Sequence, residues 1–473
     1  MWILALEAST TSAKAMLYDM RTGRFTERTR SFRKANGAGT VQDAETVYRY
    51  MVQTGRELAE GKEVAMISLS GTWHSMMLCD RDIKPVTPVY PWSYTGASDV
   101  CGRLRRDESF VHEYYHRTGC MVNAMYPIFK LLHLREQGYR TEDYYIMGQG
   151  TYNNYRLTGK RVTTACMASG TGFLNIHTGE YDQESLETAR VKREQLCALA
   201  DYQKTYPLST EGAAALGLRP GIPVVLSNAD GGLNQIGAGA VREEYMTCSV
   251  GTSGALRLST KRPILPDRPS VWCYLSPKGW LGGAATAGGC NCIDWFIDKM
   301  TAGRMGYGQL EDEEGCITDT PVFLPFLFGE RCPGWHDGRR GGFAHVDAGH
   351  GIRDLYRGIQ QGVLFQLYLC YEFLTKSAGD PKRILLSGGI LNSRIWTQMC
   401  ADIFGREMEV QESKQGSLMG AVILARELMQ DLRDAGDYEP EIREVIRPCG
   451  KRHRQYMEQY ERYLHVYINK QLV

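Results

Sequence analysis

A short pattern of residues occurs once at the start of this chain and again just past its middle. At the start, the apolar run Trp2–Glu7, the small hydroxyl-rich turn Ala8–Ser12 and a second run, Ala13–Asp19, read as a hairpin that leads into the turn Arg21-Thr22-Gly23. Past the middle, Tyr245–Val250, Gly251–Gly254 and Ala255–Leu258 read as strand, small turn and strand again. Side by side, Ala8-Ser9-Thr10-Thr11-Ser12-Ala13-Lys14 and Val250-Gly251-Thr252-Ser253-Gly254-Ala255-Leu256-Arg257 are two versions of one hairpin. A single short match of this kind also arises by chance. Taken as a duplication, it predicts two lobes of similar construction, residues 1–241 and 242–473.

The rest of the chain reads as mixed α/β. Val64–Ser70 and Met76–Cys79 are apolar enough for strands, and Ala97 to about Arg156 is mostly helical in pattern. Gly221–Asp230 is a strand that ends in a polar loop. In the second half, Arg353–Lys376 reads as a long helix and Arg383–Leu386 as a short strand. The tail from about Arg452 to Val473 reads as a charged, aromatic helix.

Composition removes several classes of function. Lys+Arg 55 against Asp+Glu 54 leaves a net charge of +1, so no field steers nucleic acid or an anionic membrane to the surface. No apolar run approaches the ~20 residues of a bilayer span, and Trp2–Leu6 is too short for a secretory segment. The expectation is a cytoplasmic protein. Its 14 cysteines are scattered, which fits buried thiols, and Cys290-Asn291-Cys292 lacks the second pair or histidines of a zinc site. Neither a P-loop nor a Gly-x-Gly-x-x-Gly dinucleotide turn is present.

Two hairpins with small turns facing each other across a cleft suit phosphate. Tight turns expose successive backbone N–H groups, and a concave nest of such donors holds phosphate oxygens. The hydroxyls of Thr10, Thr11, Ser12, Thr252 and Ser253 add donors, with Gly251 giving room. Either loop taken singly is equally an ordinary polar turn.

Further along, the residues resemble a known family. The Ala5–Lys14 hairpin is followed by Ile67-Ser68-Leu69-Ser70-Gly71-Thr72-Trp73-His74, Met125–Gln137 around Lys130, and Ala168-Ser169-Gly170-Thr171-Gly172. Then come Ser227–Gly239 around Asp230, Val250–Gly254, Phe323–Pro333, Leu386–Trp396 and Ala401-Asp402-Ile403-Phe404-Gly405. In this order and spacing, from residue 2 to about 426, they resemble the FGGY carbohydrate kinases, most closely the gluconate- and xylulose-kinase branches. The resemblance implies two ribonuclease H-like, actin-like domains flanking a cleft, with the sugar on the first and the nucleotide mostly on the second. It implies phosphoryl transfer from ATP, with Mg²⁺, to a hydroxyl of a small sugar, polyol or aldonate. A homodimer is compatible with it.

The resemblance also carries roles onto residues. Asp230 matches the catalytic base that meets the acceptor hydroxyl; alone, it would read as an Asp-Gly turn. An ordinary Asp pKa of ~3.9 would keep it ionised. Glu7 stands where relatives carry a metal-holding Asp, its oxygens ~1.5 Å further out by one methylene. Gly388-Gly389 matches the adenosine turn, where missing side chains let backbone approach a flat ligand. Trp73, His74 and Trp92 fall in sugar-side loops. Lys14 and Arg257 could neutralise phosphate, but after a turn such residues are more often solvated, so neither joins the site. Relatives commonly have Trp-x-Asp-x-Arg where this chain has Trp92-Ser93-Tyr94-Thr95-Gly96; His133 replaces a usual Trp and Thr164 a common Asp. These departures leave a second reading open: a nucleotide-binding protein of this fold with lost or altered sugar kinase activity. An actin-like ATPase or chaperone-type relative is disfavoured by the kinase pattern of Phe323–Pro333.

Overall fold

The computed structural model describes residues 1–473 except 34, 36–39, 243, 312–316, 413–415 and 470–473. Two sheets organise it. The first contains β1 (Trp2–Ala8), β2 (Ser12–Asp19), β3 (Phe25–Ser31), β4 (Val64–Gly71), β5 (Thr205–Pro207) and β6 (Pro223–Ala229), in the order β3-β2-β1-β4-β6-β5. The second contains β7 (Tyr245–Val250), β8 (Gly254–Thr260), β9 (Trp272–Ser276), β10 (Gly279–Thr286), β11 (Arg383–Ser387), β12 (Met408–Gln411) and β13 (Ile442–Ile446), in the order β9-β10-β8-β7-β11-β12-β13.

Without the edge strands β5, β9 and β13, the two sheets follow one path. The first two strands of each are antiparallel, with Glu7 opposite Lys14 and Ser249 opposite Ala255. The fourth runs parallel to the first, with Glu7 beside Ser70 and Ser249 beside Ser387. The duplication expected from two short turns therefore extends through both sheets. The stretch expected to be mostly helical holds four α-helices between Ser98 and Thr158, together with a strand, Tyr145–Met147, paired with Met77–Cys79.

Five helices matter for the site: α1 (Ala44–Ala59), α2 (Asp230–Gly237), α3 (Ile352–Ala378), α4 (Gly416–Leu428) and α5 (Gly450–Asn469). Every residue of β1 from Ile3 to Ala8 is buried, because helices cover both faces of a central strand and remove the usual alternation. On one face lies α1, started by Asp43, which accepts from Thr46 N at 2.7 Å, and buried at Val47, Tyr48, Met51, Val52 and Gly55.

The other face is closed by a helix from the far end of the chain. Leu418, Val422 and Leu424 of α4 share a core with Ile3, Ala5 and Val225 of the first sheet. There α4 crosses α2 with backbones touching: a Cβ on Gly237 would lie 1.8 Å from Gly416 O, and one on Gly420 1.9 Å from Leu233 O. Only glycine permits that approach. The tail helix spans Gly450–Asn469 as α5, burying Tyr456, Tyr460, Tyr463 and Tyr467 along one side; the last residues of the expected span, 470–473, lie outside the described residues.

Candidate active site

The parallel strands β1, β4 and β6 end along one edge of the first sheet, the edge where open α/β sheets carry their ligands. Their last turns bring Glu7, Ser70 and Asp230 together. Glu7 is 2% exposed; it accepts from Lys14 Nζ at 2.9 Å, from Ser70 Oγ at 3.1 Å, and from Ser417 Oγ in the first turn of α4. Asp230 opens α2, half-buried, with Oδ1 accepting from Gly231 N at 2.8 Å. Burial, reinforced by the charge of Glu7, pushes its carboxyl up to about 6, against the pull of Arg257. The ordinary Asp value expected from sequence is therefore corrected upward, although about nine-tenths of the group remains ionised at pH 7.

Two cations left off the site by sequence reasoning stand in it. Burial works against the charge of Lys14, but Glu7 and Asp230 outweigh it and hold the ammonium above its ordinary pKa. Burial lowers the Arg257 pKa, and Asp230 opposes it. Arg257 Nε is buried with no hydrogen-bond partner among the described residues, and a Cβ on Gly231 would lie 3.3 Å from it. Lys14 and Arg257 line a cavity of about 480 Å³ between the lobes, along with Ser249, Asn392, Ser417 and Ser387-Gly388-Gly389.

The Gly388-Gly389 turn lies flat on the second hairpin. Gly388 has φ +101°, and a Cβ there would stand 2.4 Å from Val250 O; on Gly389 it would stand 2.8 Å from Cys290 Sγ. Thr10, Thr11 and Ser12, and likewise Gly251, Thr252 and Ser253, occupy the two hairpin tips just beyond the cavity lining. The first tip is tied outward: Trp92 Nε1 donates to Thr10 Oγ1 at 3.0 Å and Gln42 Nε2 to Thr10 O at 2.5 Å.

On the other side of Asp230 stands an aromatic wall. Trp73 fits between Gly170 and Gly231, where Cβ atoms would approach its ring to 2.4 Å, and donates Nε1–H to Cys166 O at 2.8 Å. Its ring lies 5.0 Å from Tyr274 and 6.1 Å from Trp272, both on the second sheet, and Tyr274 shares a 2.6 Å hydroxyl–hydroxyl bond with Tyr126. His74, at φ +65°, has Nδ1 2.6 Å from Gly170 O, so Nδ1 carries the proton and Nε2 is an acceptor. Burial, with Lys130 and Arg331 nearby, pushes its pKa down to about 3, so the ring is neutral.

Lys130 has no acidic partner among the described residues. Its buried ammonium donates to His74 O, Tyr90 O and Pro91 O at 2.6, 3.1 and 2.7 Å, tying together the two loops that carry His74 and Trp92. Arg331, inside the Phe323–Pro333 segment but not singled out from sequence, lies 5.5 Å over the Trp92 ring. Three of the departures from the family pattern also meet one another. Tyr94 OH is 3.2 Å from His133 Nε2, and a Cβ on Gly96 would lie 2.2 Å from that same hydroxyl. Thr164 caps a short helix and donates to Ser227 O at 2.9 Å.

Comparison with known proteins identifies the family and the fold. Residues 2–237 match the N-terminal domain of the FGGY family of carbohydrate kinases, and residues 246–426 its C-terminal domain. The two domain matches make the chain a carbohydrate kinase, a phosphotransferase. It belongs to the FGGY family. It is similar to the gluconokinase of Bacillus subtilis (strain 168), 28% identical over 447 residues that cover 89% of this chain and 86% of that one. The xylulose kinase of Escherichia coli (strain K12) is 26% identical, covering 77% and 76%. Among solved structures, gluconate kinase from Lactobacillus acidophilus superposes with a TM-score of 0.93 at 27% identity, covering 98% and 97%.

Proposed function

We propose that this chain transfers the γ-phosphoryl group of ATP to a hydroxyl of a small sugar, polyol or aldonate of gluconate or xylulose type, with Asp230 as the base. The observation that carries the reading is the position of Asp230 between a glycine-floored cavity and an aromatic wall. On this reading the nucleotide lies over Gly388 and Gly389, and both hairpin tips, Thr10–Ser12 and Gly251–Ser253, donate to its phosphates. Lys14 and Arg257 neutralise charge there, which restores two residues that sequence reasoning set aside. The sugar lies against Trp73, His74 and Trp92, with His74 Nε2 accepting a hydroxyl proton in a hydrogen bond. The division between sugar-binding and nucleotide-binding lobes falls at residues 241/242, and the protein works in the cytoplasm.

Asp230 accepts the proton of the attacking hydroxyl as its oxygen bonds to the γ-phosphorus and ADP leaves. No group of three or more His, Cys, Asp or Glu able to hold a metal forms among the described residues. Glu7 with Asp230 is a donor set for a hydrated Mg²⁺ arriving on the phosphates, not for a preformed cage. When bound, that ion supplies charge neutralisation. Among the described residues no helix is long and apolar enough to cross a membrane.

The test is an assay of ATP consumption across sugars, polyols and aldonates, with product identification. No sugar-dependent consumption by folded protein, together with tight Mg·ATP binding by calorimetry, would instead favour a binding protein without turnover. The mutual packing of Tyr94, Gly96 and His133 favours a redirected sugar preference within the kinase reading, because these three altered positions pack as one cluster.

Two predictions arise here. The acid limb of kcat/KM should fall about tenfold per pH unit below a midpoint near 6, since ionised Asp230 is required and burial with Glu7 has raised its pKa to about 6. A midpoint near 4 would contradict this. Gly389→Val should crowd Cys290 and raise the KM for ATP with little change for the sugar. An unchanged ATP constant in the folded variant would mean the turn is misassigned.

A further inference from the structure

We propose that the C-terminal helix α5 is a brace for the active site, and that Tyr467 is a positioning residue for Arg331. The helix lies beyond the matched family domains, which end at residue 426. The proposal rests on the sugar kinase reading only for its kinetic consequence.

The segment 327–337 spans the lobes. At one end, Asp337 accepts from Arg105 Nη2 and Asn123 Nδ2 of the first half, each at 3.1 Å, and Trp335 O accepts from Arg105 Nη1 at 2.9 Å. In its middle, Arg331 lies over Trp92, whose indole bonds to Thr10 of the first hairpin. What fixes the segment from behind is the neighbouring carboxylate. Glu330 is 2% exposed and pairs with Arg339 Nη1 at 2.7 Å. Its other oxygen accepts from Tyr467 OH at 2.7 Å and from Gln366 Nε2 at 3.3 Å.

The helix contributes more than that one bond. Arg339 also donates to Tyr467 O and stacks 4.1 Å over the Tyr467 ring. Tyr463 OH donates to Gln366 Oε1 at 2.5 Å, which orients that amide toward Glu330. The chain folds closely around the carboxylate: a Cβ on Gly334 would stand 2.4 Å from Glu330 Oε2. A buried charge held by an arginine, a tyrosine and an amide has little freedom to move, because any shift leaves an acceptor unsatisfied in a dry site. One peptide bond joins Glu330 to Arg331, so a held Glu330 fixes the backbone from which the Arg331 side chain reaches over the Trp92 ring. Displacements of about an ångström in positioning groups are costly to phosphoryl transfer.

The test compares Tyr467→Phe with Tyr460→Phe. Each removes one buried hydroxyl from α5, but Tyr460 donates to Glu372 of α3, away from the segment. In Tyr467→Phe, amide hydrogen exchange across 327–337 should quicken and the KM for the sugar should rise about three- to tenfold, with the ATP constant unchanged. Tyr460→Phe should show neither change while losing comparable thermal stability. Equal sugar constants in the two variants, or exchange across 327–337 that matches the unmodified protein, would overturn the proposal. If the unmodified protein phosphorylates no sugar, the kinase reading fails separately, and the exchange comparison still decides the brace.

Discussion

Asp230→Asn is expected to lower turnover on the accepted sugar by about 10²–10⁴-fold while ATP affinity and fold survive. Asn keeps the shape and one acceptor, but it cannot take the hydroxyl proton. A second readout follows from the raised pKa. The unfolded chain holds this Asp at an ordinary carboxylate value, whereas the folded chain holds it near 6, so folding takes up a proton between roughly pH 4 and 6. The proton-linked stability is present below the unfolded value and is lost as pH rises through about 6. At pH 7.5 the ionised side chain therefore destabilises the fold, by on the order of 1–2 kcal/mol after screening of a half-buried group. Asp230→Asn should melt above the unmodified protein at pH 7.5, and the gap should close toward pH 4. Near-normal turnover in this variant would sink the mechanism; a lower melting temperature at pH 7.5 would show that the burial argument has the wrong sign.

Glu7→Gln should cost about 10²-fold in turnover, in the range seen when one polar group aimed at developing charge is removed. Lys14, Ser70 and Ser417 all donate to Glu7; Gln keeps one acceptor oxygen for them, and its NH₂ can be accepted by a serine hydroxyl that turns but not by the Lys14 ammonium. The freed ammonium and the lost carboxylate together should make the rate depend more steeply on magnesium. Because the Glu7 charge raises the Asp230 pKa, removing it should move the acid limb of the pH profile below 6. Assaying both variants at several magnesium concentrations separates base from metal holder. An acid limb that stays in place would mean the two carboxylates are not coupled.

Local chemistry explains which parts of this fold and site were legible in the sequence. The two hairpins were readable because apolar runs flank turns of small residues; Asp230 stood out only through the family resemblance, since a strand breaking into Asp-Gly-Gly reads by itself as a turn. Helix α4 was not read from the sequence, and its apolar residues could not in any case name their neighbour, which is the sheet of the other half. Lys14 and Arg257 looked like solvated strand residues; only the meeting of the lobes sets them beside Glu7 and Asp230. Arg331 had a visible signal, its place within Phe323–Pro333, yet its relation to Trp92 depends on a contact between distant segments. Tyr94, Gly96 and His133 read as three independent departures, and only packing shows that they are one. The ordinary acidity expected of Asp230 failed for the same reason, since burial and the Glu7 charge belong to the assembled cleft.

The covering of the first sheet by α4 has a consequence for synthesis. Strand β6 is complete at Ala229, but the helix that closes the sheet does not begin until Gly416. At ribosomal rates of ~5–20 residues per second, the nascent first half waits roughly 10–40 s with Ile3, Ala5 and Val225 lacking their final cover. A fragment ending near residue 241 would keep that exposure permanently and should be recovered aggregated or bound to chaperones. Supplying the second half as a separate chain should rescue it.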